Sequence, residues 1–234
     1  GQEVLLDDGK IHLKIVEKAE NVTENGGENT QEKRYFAKVL WGGLLKSRKS
    51  AALPGAKIYP PTLTNSDLAN IKIANEMGVT GVMQPFVRDH SDLERVKEVL
   101  REAGAEDIRL FAKIENMDGV RKLEKLLPAA DEIVIARGDL GNAVHLWDLP
   151  GVQRQISEKC RAAGKPFMVV TQMLASMERS PVPTRAEVND IFHAVMDGAA
   201  SIMVTGETAV GDYPVEVIRY MVNTVRSAEK EENR

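Results

Sequence analysis

Ile108-Arg109-Leu110-Phe111-Ala112-Lys113-Ile114-Glu115-Asn116 reads as a short apolar strand that ends in charge, and Ile133-Val134-Ile135-Ala136-Arg137-Gly138-Asp139 repeats the pattern. Gly81 to Val87, Phe167 to Thr171 and Ser201 to Thr205 are further runs of strand length and composition. Helical periodicity follows each of them. After Thr184, for instance, Val188, Ile191, Phe192 and Val195 fall at i, i+3, i+4 and i+7, which gives that helix one apolar face to pack on a sheet. Ser91 with Glu94, and Thr184 with Glu187, have the spacing of capping boxes, while Pro128 and Gly164 close two other helices. A helix from Ser66 to Met77 leads the series in. Strands alternating with helices imply a parallel sheet. Polar strand ends and apolar strand middles suit a dry barrel interior better than a doubly wound sheet. Five units suffice for an open doubly wound sheet and are three short of a closed barrel. On the strand-end argument the expected fold is α/β, a partial (β/α)8 TIM barrel of about five βα units that does not close within these residues.

The first fifty residues read differently. Val4 to Leu6, the turn at Asp8-Gly9, and Ile11, Leu13 and Ile15 alternating with polar neighbours predict a hairpin, with Tyr35 to Trp41 as a further strand. Between them, Glu17 to Arg34 is rich in Glu, Asn and Gly and reads as a surface loop. The expected organisation is a small β lid-like segment over 1–50 and a barrel segment over 51–234.

Composition excludes several classes. The 234 residues are 28% charged and 43% hydrophobic, with a formal net charge of -4. The apolar runs are far shorter than the roughly 20 residues of a membrane span, and the first residues lack the pattern of a secretory signal. One cysteine, Cys160, cannot form an internal disulfide, so a reducing cytoplasm is expected and the sequon Asn21-Val22-Thr23 carries no weight. Mild acidity, with Lys46 to Lys49 as the one tight basic run, argues against nucleic acid as a partner.

Chemistry concentrates at the strand ends. Alternation puts Lys113 and Glu115 on one side of their strand, and Arg137 and Asp139 repeat the i, i+2 spacing. Thr171 ends the next strand, and Thr205-Gly206-Glu207-Thr208 follows the last. Glu115 and Asp139 on adjacent parallel strands would lie about 4.8 Å apart at the backbone if in register. Two carboxylates so placed suit Mg2+, which takes one or two protein carboxylates and completes its shell with water and substrate oxygens. A lysine beside them would stabilise an anionic oxygen. The simpler reading makes Lys113–Glu115 a structural ion pair and Arg137–Asp139 a loop brace. His12, His90, His145 and His193 lack metal-ligand spacing and read as surface or packing residues, and Cys160 reads as a small buried hydrophobe.

Several of these stretches, taken in order, closely resemble pyruvate kinase: Ala112-Lys113-Ile114-Glu115-Asn116, Ala136-Arg137-Gly138-Asp139-Leu140-Gly141, Ala163-Gly164-Lys165-Pro166, Thr171-Gln172-Met173-Leu174 with Pro183-Thr184-Arg185-Ala186-Glu187, and Gly206-Glu207-Thr208-Ala209 with Tyr213-Pro214. Leu53-Pro54-Gly55, Asp7-Asp8-Gly9 and Gly42 to Lys49 extend the resemblance to the end of that family's lid domain. It implies phosphoryl transfer from phosphoenolpyruvate to ADP in glycolysis, giving pyruvate and ATP. In that scheme Lys113 stabilises the phosphoryl group and the enolate, and Glu115 and Asp139 hold Mg2+ or Mn2+. The backbone amides of Arg137, Gly138 and Asp139 meet the substrate carboxylate, and Thr171 lies on the proton-delivery side. A homo-oligomer is the candidate assembly.

The chain also departs from the family pattern. Three earlier barrel strands, whose side chains contact phosphate and K+, are absent, so K+ is a candidate cofactor without its family ligands. The carboxyl-terminal domain is absent too. Asn142 to Pro150 does not follow the usual continuation, and Pro85 stands where a small polar residue is expected. An open parallel sheet exposes a strand edge, so the sequence is expected to be part of a longer protein. The rival function is a metal-dependent lyase or decarboxylase acting on a pyruvate-like acid through an enolate, which needs no nucleotide pocket.

Overall fold

Two faces of one parallel sheet, unequal in what they pack against, define the architecture. The structure is a computed structural model that describes residues 1–19, 33–56 and 58–232. It divides into two compact units, Gly1–Tyr59 and Pro60–Arg234.

The first unit is an antiparallel sheet of β1 (Glu3–Leu6), β2 (Ile11–Lys18), β3 (Tyr35–Trp41) and β4 (Ala51–Ala52), in the order β3-β2-β1-β4. The β1–β2 turn takes Asp7, Asp8 and Gly9 through φ of 51°, 56° and 82°. Asp tolerates this left-handed region and Gly favours it, which is why the expected hairpin turn forms here. Lys49 reaches the Asp7 carboxylate at 2.9 Å and holds it below the usual carboxylate range, so the basic run contributes a local ion pair. Glu17 and Lys18, expected in a loop, instead continue β2 and pair with Phe36 and Tyr35: strand pairing extends beyond the apolar alternation. The rest of that expected loop over 20–32, and the sequon, lie outside the described residues.

The second unit sets one or more helices between successive strands. In chain order it runs α1 (Asn65–Ala74), β5 (Gly81–Gln84), α2 (His90–Glu102), β6 (Arg109–Ile114), α3 (Met117–Arg121), α4 (Leu123–Leu126), β7 (Glu132–Ala136), α5 (Arg137–Ala143) and α6 (Leu149–Ala162). It continues with β8 (Phe167–Val170), α7 (Arg185–Met196), β9 (Ser201–Met203), α8 (Gly206–Ala209) and α9 (Pro214–Glu232). The strands pair in parallel in the order β5-β6-β7-β8-β9, with β5 and β9 at the edges.

Leu110, Ala112, Ile114, Ile133, Ile135, Phe167 and Val169 face one way and share a core with Leu93 of α2, Leu123 of α4, Ile156 of α6, Ile191 of α7 and Val217 of α9. The alternate residues Phe111, Val134, Ala136, Met168, Val170 and Met203 form a second cluster made of strand side chains alone. A doubly wound sheet would set helices against both faces. Helices on one face and side-chain layers on the other are the construction of a barrel wall, so the partial barrel expected from the sequence is what the chain builds.

Helix starts correct one expectation. The α2 N-cap is Asp89, whose side chain accepts from the Ser91 amide at 3.0 Å, so Ser91 lies inside the first turn and does not cap with Glu94. The Thr184–Glu187 box is present, and Thr64 with Asp67 forms a second one at α1, which begins at Asn65 and ends at Ala74.

Candidate active site

Strand β6 delivers the first two groups. Ala112 and Ile114 are buried against the helices, so alternation turns Lys113 to the opposite face with Phe111. Glu115 follows the last strand residue. Lys113 Nζ lies 2.8 Å from Glu115 Oε1. The other oxygen, Oε2, accepts from the Phe86 amide at 2.7 Å, with Phe86 held at φ 50°. Asn116 caps α3 by accepting from the Gly119 amide at 2.9 Å and donates to the Val87 carbonyl at 3.1 Å. The loop after β5 is thereby tied to the loop after β6, and the buried carboxylate has a partner at each oxygen. A backbone donor such as the Phe86 amide leaves no mark in a sequence.

Beyond β7 the structure corrects the i, i+2 reading. The strand ends at Ala136, and Arg137–Ala143 is helical, so strand alternation does not apply to Arg137 and Asp139. Arg137 does not brace its loop through Asp139. Its Nη1 donates to both carboxylate oxygens of Asp190, at 2.8 and 2.7 Å, while Nε and Nη2 donate to the Thr171 carbonyl at 3.2 and 2.7 Å. Asp190, on α7, was not singled out in the sequence, because nothing local marks a carboxylate 53 positions away as a partner. The amides of Arg137, Gly138 and Asp139 form the first turn of α5, where an α-helix supplies no intrahelical acceptor, and the N-cap residue Ala136 brings no side-chain acceptor.

Glu115 and Asp139 lie beyond the carboxyl ends of neighbouring strands, but not directly opposite each other. The β6–β7 ladder ends with Ile114 opposite Ile135, and Asp139 belongs to the helix beyond. The in-register spacing of the sequence reading therefore does not hold. Among the described residues, no group of three or more His, Cys, Asp or Glu is assembled to hold a metal ion. Mg2+ does not require one, since one or two carboxylates plus water and substrate oxygens complete its shell. Glu115 and Asp139 supply oxygen donors only, the chemistry a hard cation takes.

After β8, Thr171 and Gln172 both adopt positive φ, 81° and 55°. For a β-branched residue this is strained backbone, and the Arg137 bonds to the Thr171 carbonyl hold it. A Cβ at Gly138 would lie 3.1 Å from Thr171 Cγ2, so the absence of a side chain there allows the threonine to seat against α5. Glu207, expected to add charge to the rim, is buried and serves the backbone: it accepts from the Leu174 amide at 3.2 Å and the Thr205 amide at 2.8 Å. Thus the ends of β6, β7 and β8 carry the candidate site, and the end of β9 carries a brace.

The remaining candidates behave as packing groups. His12 is buried, with Nε2 3.2 Å from a Glu3 oxygen and its ring edge-on to Trp41. Cys160 is buried, and that burial pushes its thiol up to about 12 against the opposing charge of Lys165. No helix among the described residues is long and apolar enough to cross a membrane.

A family described as "Pyruvate kinase, barrel domain" matches residues 1–218. The chain is 38% identical over 230 residues to pyruvate kinase of Bacillus licheniformis, covering 98% of the chain and 38% of that protein. Over 221 residues it is 40% identical to pyruvate kinase of Geobacillus stearothermophilus, covering 94% of the chain and 36% of that protein. The pyruvate kinase of Candida albicans is 36% identical over 230 residues, covering 98% of the chain and 43% of that protein. The chain spans about two fifths of the length of these curated relatives.

Proposed function

The chain belongs to the pyruvate kinase family, and from that membership we propose that it supplies the reaction centre for phosphoryl transfer from phosphoenolpyruvate to ADP. The observation that carries this reading is the Lys113–Glu115 pair, 2.8 Å apart at the carboxyl end of β6. It sets an ammonium group beside a buried carboxylate, on the face of the sheet whose cluster is built from strand side chains among the described residues.

Phosphoryl transfer asks a protein mainly for positioning and charge stabilisation. Lys113 offers a positive charge to the phosphoryl oxygens in flight and to the enolate oxygen left when the phosphorus–oxygen bond breaks. The first-turn amides of α5 at Arg137, Gly138 and Asp139 hold the substrate carboxylate. Thr171 lies on the side from which a proton reaches the methylene carbon of the enolate. Glu115 and Asp139 would hold Mg2+ or Mn2+, which supplies further charge neutralisation on the substrate oxygens when bound. The unit Gly1–Tyr59 is the counterpart of the family's lid domain, and the sheet over Pro60–Arg234 that of its barrel wall.

The test is a direct assay of the purified protein with Mg2+, K+, phosphoenolpyruvate and ADP, and separately with Mg2+ and oxaloacetate. Pyruvate from the first mixture, dependent on ADP, supports the phosphotransferase. Pyruvate from the second mixture alone replaces it with a decarboxylase.

A further inference from the structure

Asp190 stands on α7, and what it holds is at the ends of β7 and β8. Both of its carboxylate oxygens lie within 2.8 Å of Arg137 Nη1. The rest of the Arg137 guanidinium is committed as well: Nε and Nη2 reach the Thr171 carbonyl, and Nη2 lies 2.8 Å from Met173 Sδ. The arginine side chain is only 13% exposed, that of Asp190 33%. A guanidinium engaged on every nitrogen has no face left for a substrate anion. It is a strut, and its charge is balanced from a helix three elements further along the chain.

The strut bears on two groups of the proposed site. Arg137 is the first residue of α5, so fixing its side chain fixes the turn that presents the amides of Arg137, Gly138 and Asp139. The carbonyl it grips belongs to Thr171, a β-branched residue at φ 81° whose methyl group rests against Gly138. Such a backbone persists only where its surroundings hold it. Without Asp190, the guanidinium would lose its counter-charge and the Thr171 carbonyl would lose an oriented donor. The hydroxyl would then relax away from the direction the strained backbone gives it.

We propose that Asp190 is a positioning residue of the reaction, acting through Arg137 to hold Thr171 and the first turn of α5 in working geometry without touching substrate. This rests on the preceding reading that Thr171 and those amides serve phosphoryl transfer. A group that aligns reacting parts is felt in turnover more than in substrate affinity.

The experiment measures kcat and KM for phosphoenolpyruvate in wild type, Asp190→Ala, Asp190→Asn and Asp190→Glu, with thermal melting of each, and repeats Asp190→Ala in an Arg137→Met background. In the alanine variant kcat should fall at least about tenfold while KM changes less than about threefold, and Asp190→Glu should recover most of the loss. In the Arg137→Met background, removing Asp190 should add less than about twofold, because the two act as one unit. The role is overturned if wild type is active and Asp190→Ala keeps more than about half its kcat. It is overturned equally if the losses multiply in the double variant, or if activity in the alanine and asparagine variants merely tracks the folded fraction. Inactivity of the wild type would instead refute the phosphotransferase reading on which the proposal stands.

Discussion

Lys113 Nζ sits 2.8 Å from Glu115 Oε1, and the two side chains differ in exposure, 25% for the lysine and 3% for the glutamate. The carboxylate is the more deeply committed partner, since its second oxygen is taken by the Phe86 amide. The ammonium keeps access to the face of the sheet where substrate is proposed to bind. Lys113→Met should therefore lower turnover by roughly 3–4 kcal/mol of barrier with a smaller effect on substrate affinity, as for removal of a preorganised oxyanion donor. The substitution also strands a buried charge, which costs stability. Adding Glu115→Gln should recover melting temperature without recovering rate. A singly substituted enzyme that keeps more than about a tenth of wild-type turnover would rule out the assigned role.

Glu115 and Asp139 are separable by the same logic. Glu115→Gln keeps the shape and an acceptor for the Phe86 amide but removes a ligand charge, and Asp139→Asn does so in the first turn of α5. Each should raise the Mg2+ concentration needed for half-maximal rate by about tenfold or more, with Glu115→Gln also loosening Lys113. A metal titration of each variant reads this directly. An unchanged Mg2+ requirement in both would remove them as the donor set.

Much of this arrangement was legible in the sequence because it rests on local rules. The run from Ile108 to Ile114 alternates, so it forms β6, and Lys113 and Glu115 must follow on the same side. Thr184 and Glu187 lie three apart, so they cap α7. What escaped was either boundary or distance. Arg137 reads as a strand end, yet the chain turns into α5 there, and the contact of Gly138 with Thr171 that accompanies the turn exists only in the folded chain. Asp190 and the Phe86 amide are partners supplied by topology. No spacing rule connects them to Arg137 or Glu115. Glu207 carries charge into the right region, but the backbone amides of Leu174 and Thr205 claim it first.

Cys160 gives a prediction independent of catalysis. It lies in α6, packed into the core between sheet and helices, and burial pushes its thiol up to about 12. The thiolate is the reactive form, so the native protein at about pH 8 should not react with a disulfide reagent over minutes, whereas the unfolded protein should react at once. Cys160→Ala should leave turnover unchanged. Stoichiometric labelling of folded protein on the time scale of free cysteine would contradict the burial.

Asp92 should set part of the acid limit of stability. Asp92 is 4% exposed, and its carboxylate receives Arg88 Nη2 at 2.6 Å, Arg88 Nε at 3.1 Å, the Arg88 amide at 2.9 Å and the Thr62 hydroxyl at 2.6 Å. Burial alone would raise its pKa. The guanidinium, the hydroxyl and the amide outweigh that and bring it from 3.8 down to about 2. A carboxyl whose folded pKa lies below its unfolded value stabilises the fold above the unfolded value, and that contribution is lost as pH falls through the folded one. The window here runs from about pH 4 down to about pH 2, and the contribution at neutral pH is about 2 kcal/mol. Asp92→Asn resembles the protonated acid at every pH. It should therefore be less stable than wild type by about that amount at pH 6, with the gap closing as both are taken to about pH 2 in urea unfolding. A gap that stayed constant over this range would show that Asp92 contributes through shape and hydrogen bonding, with no part played by its charge.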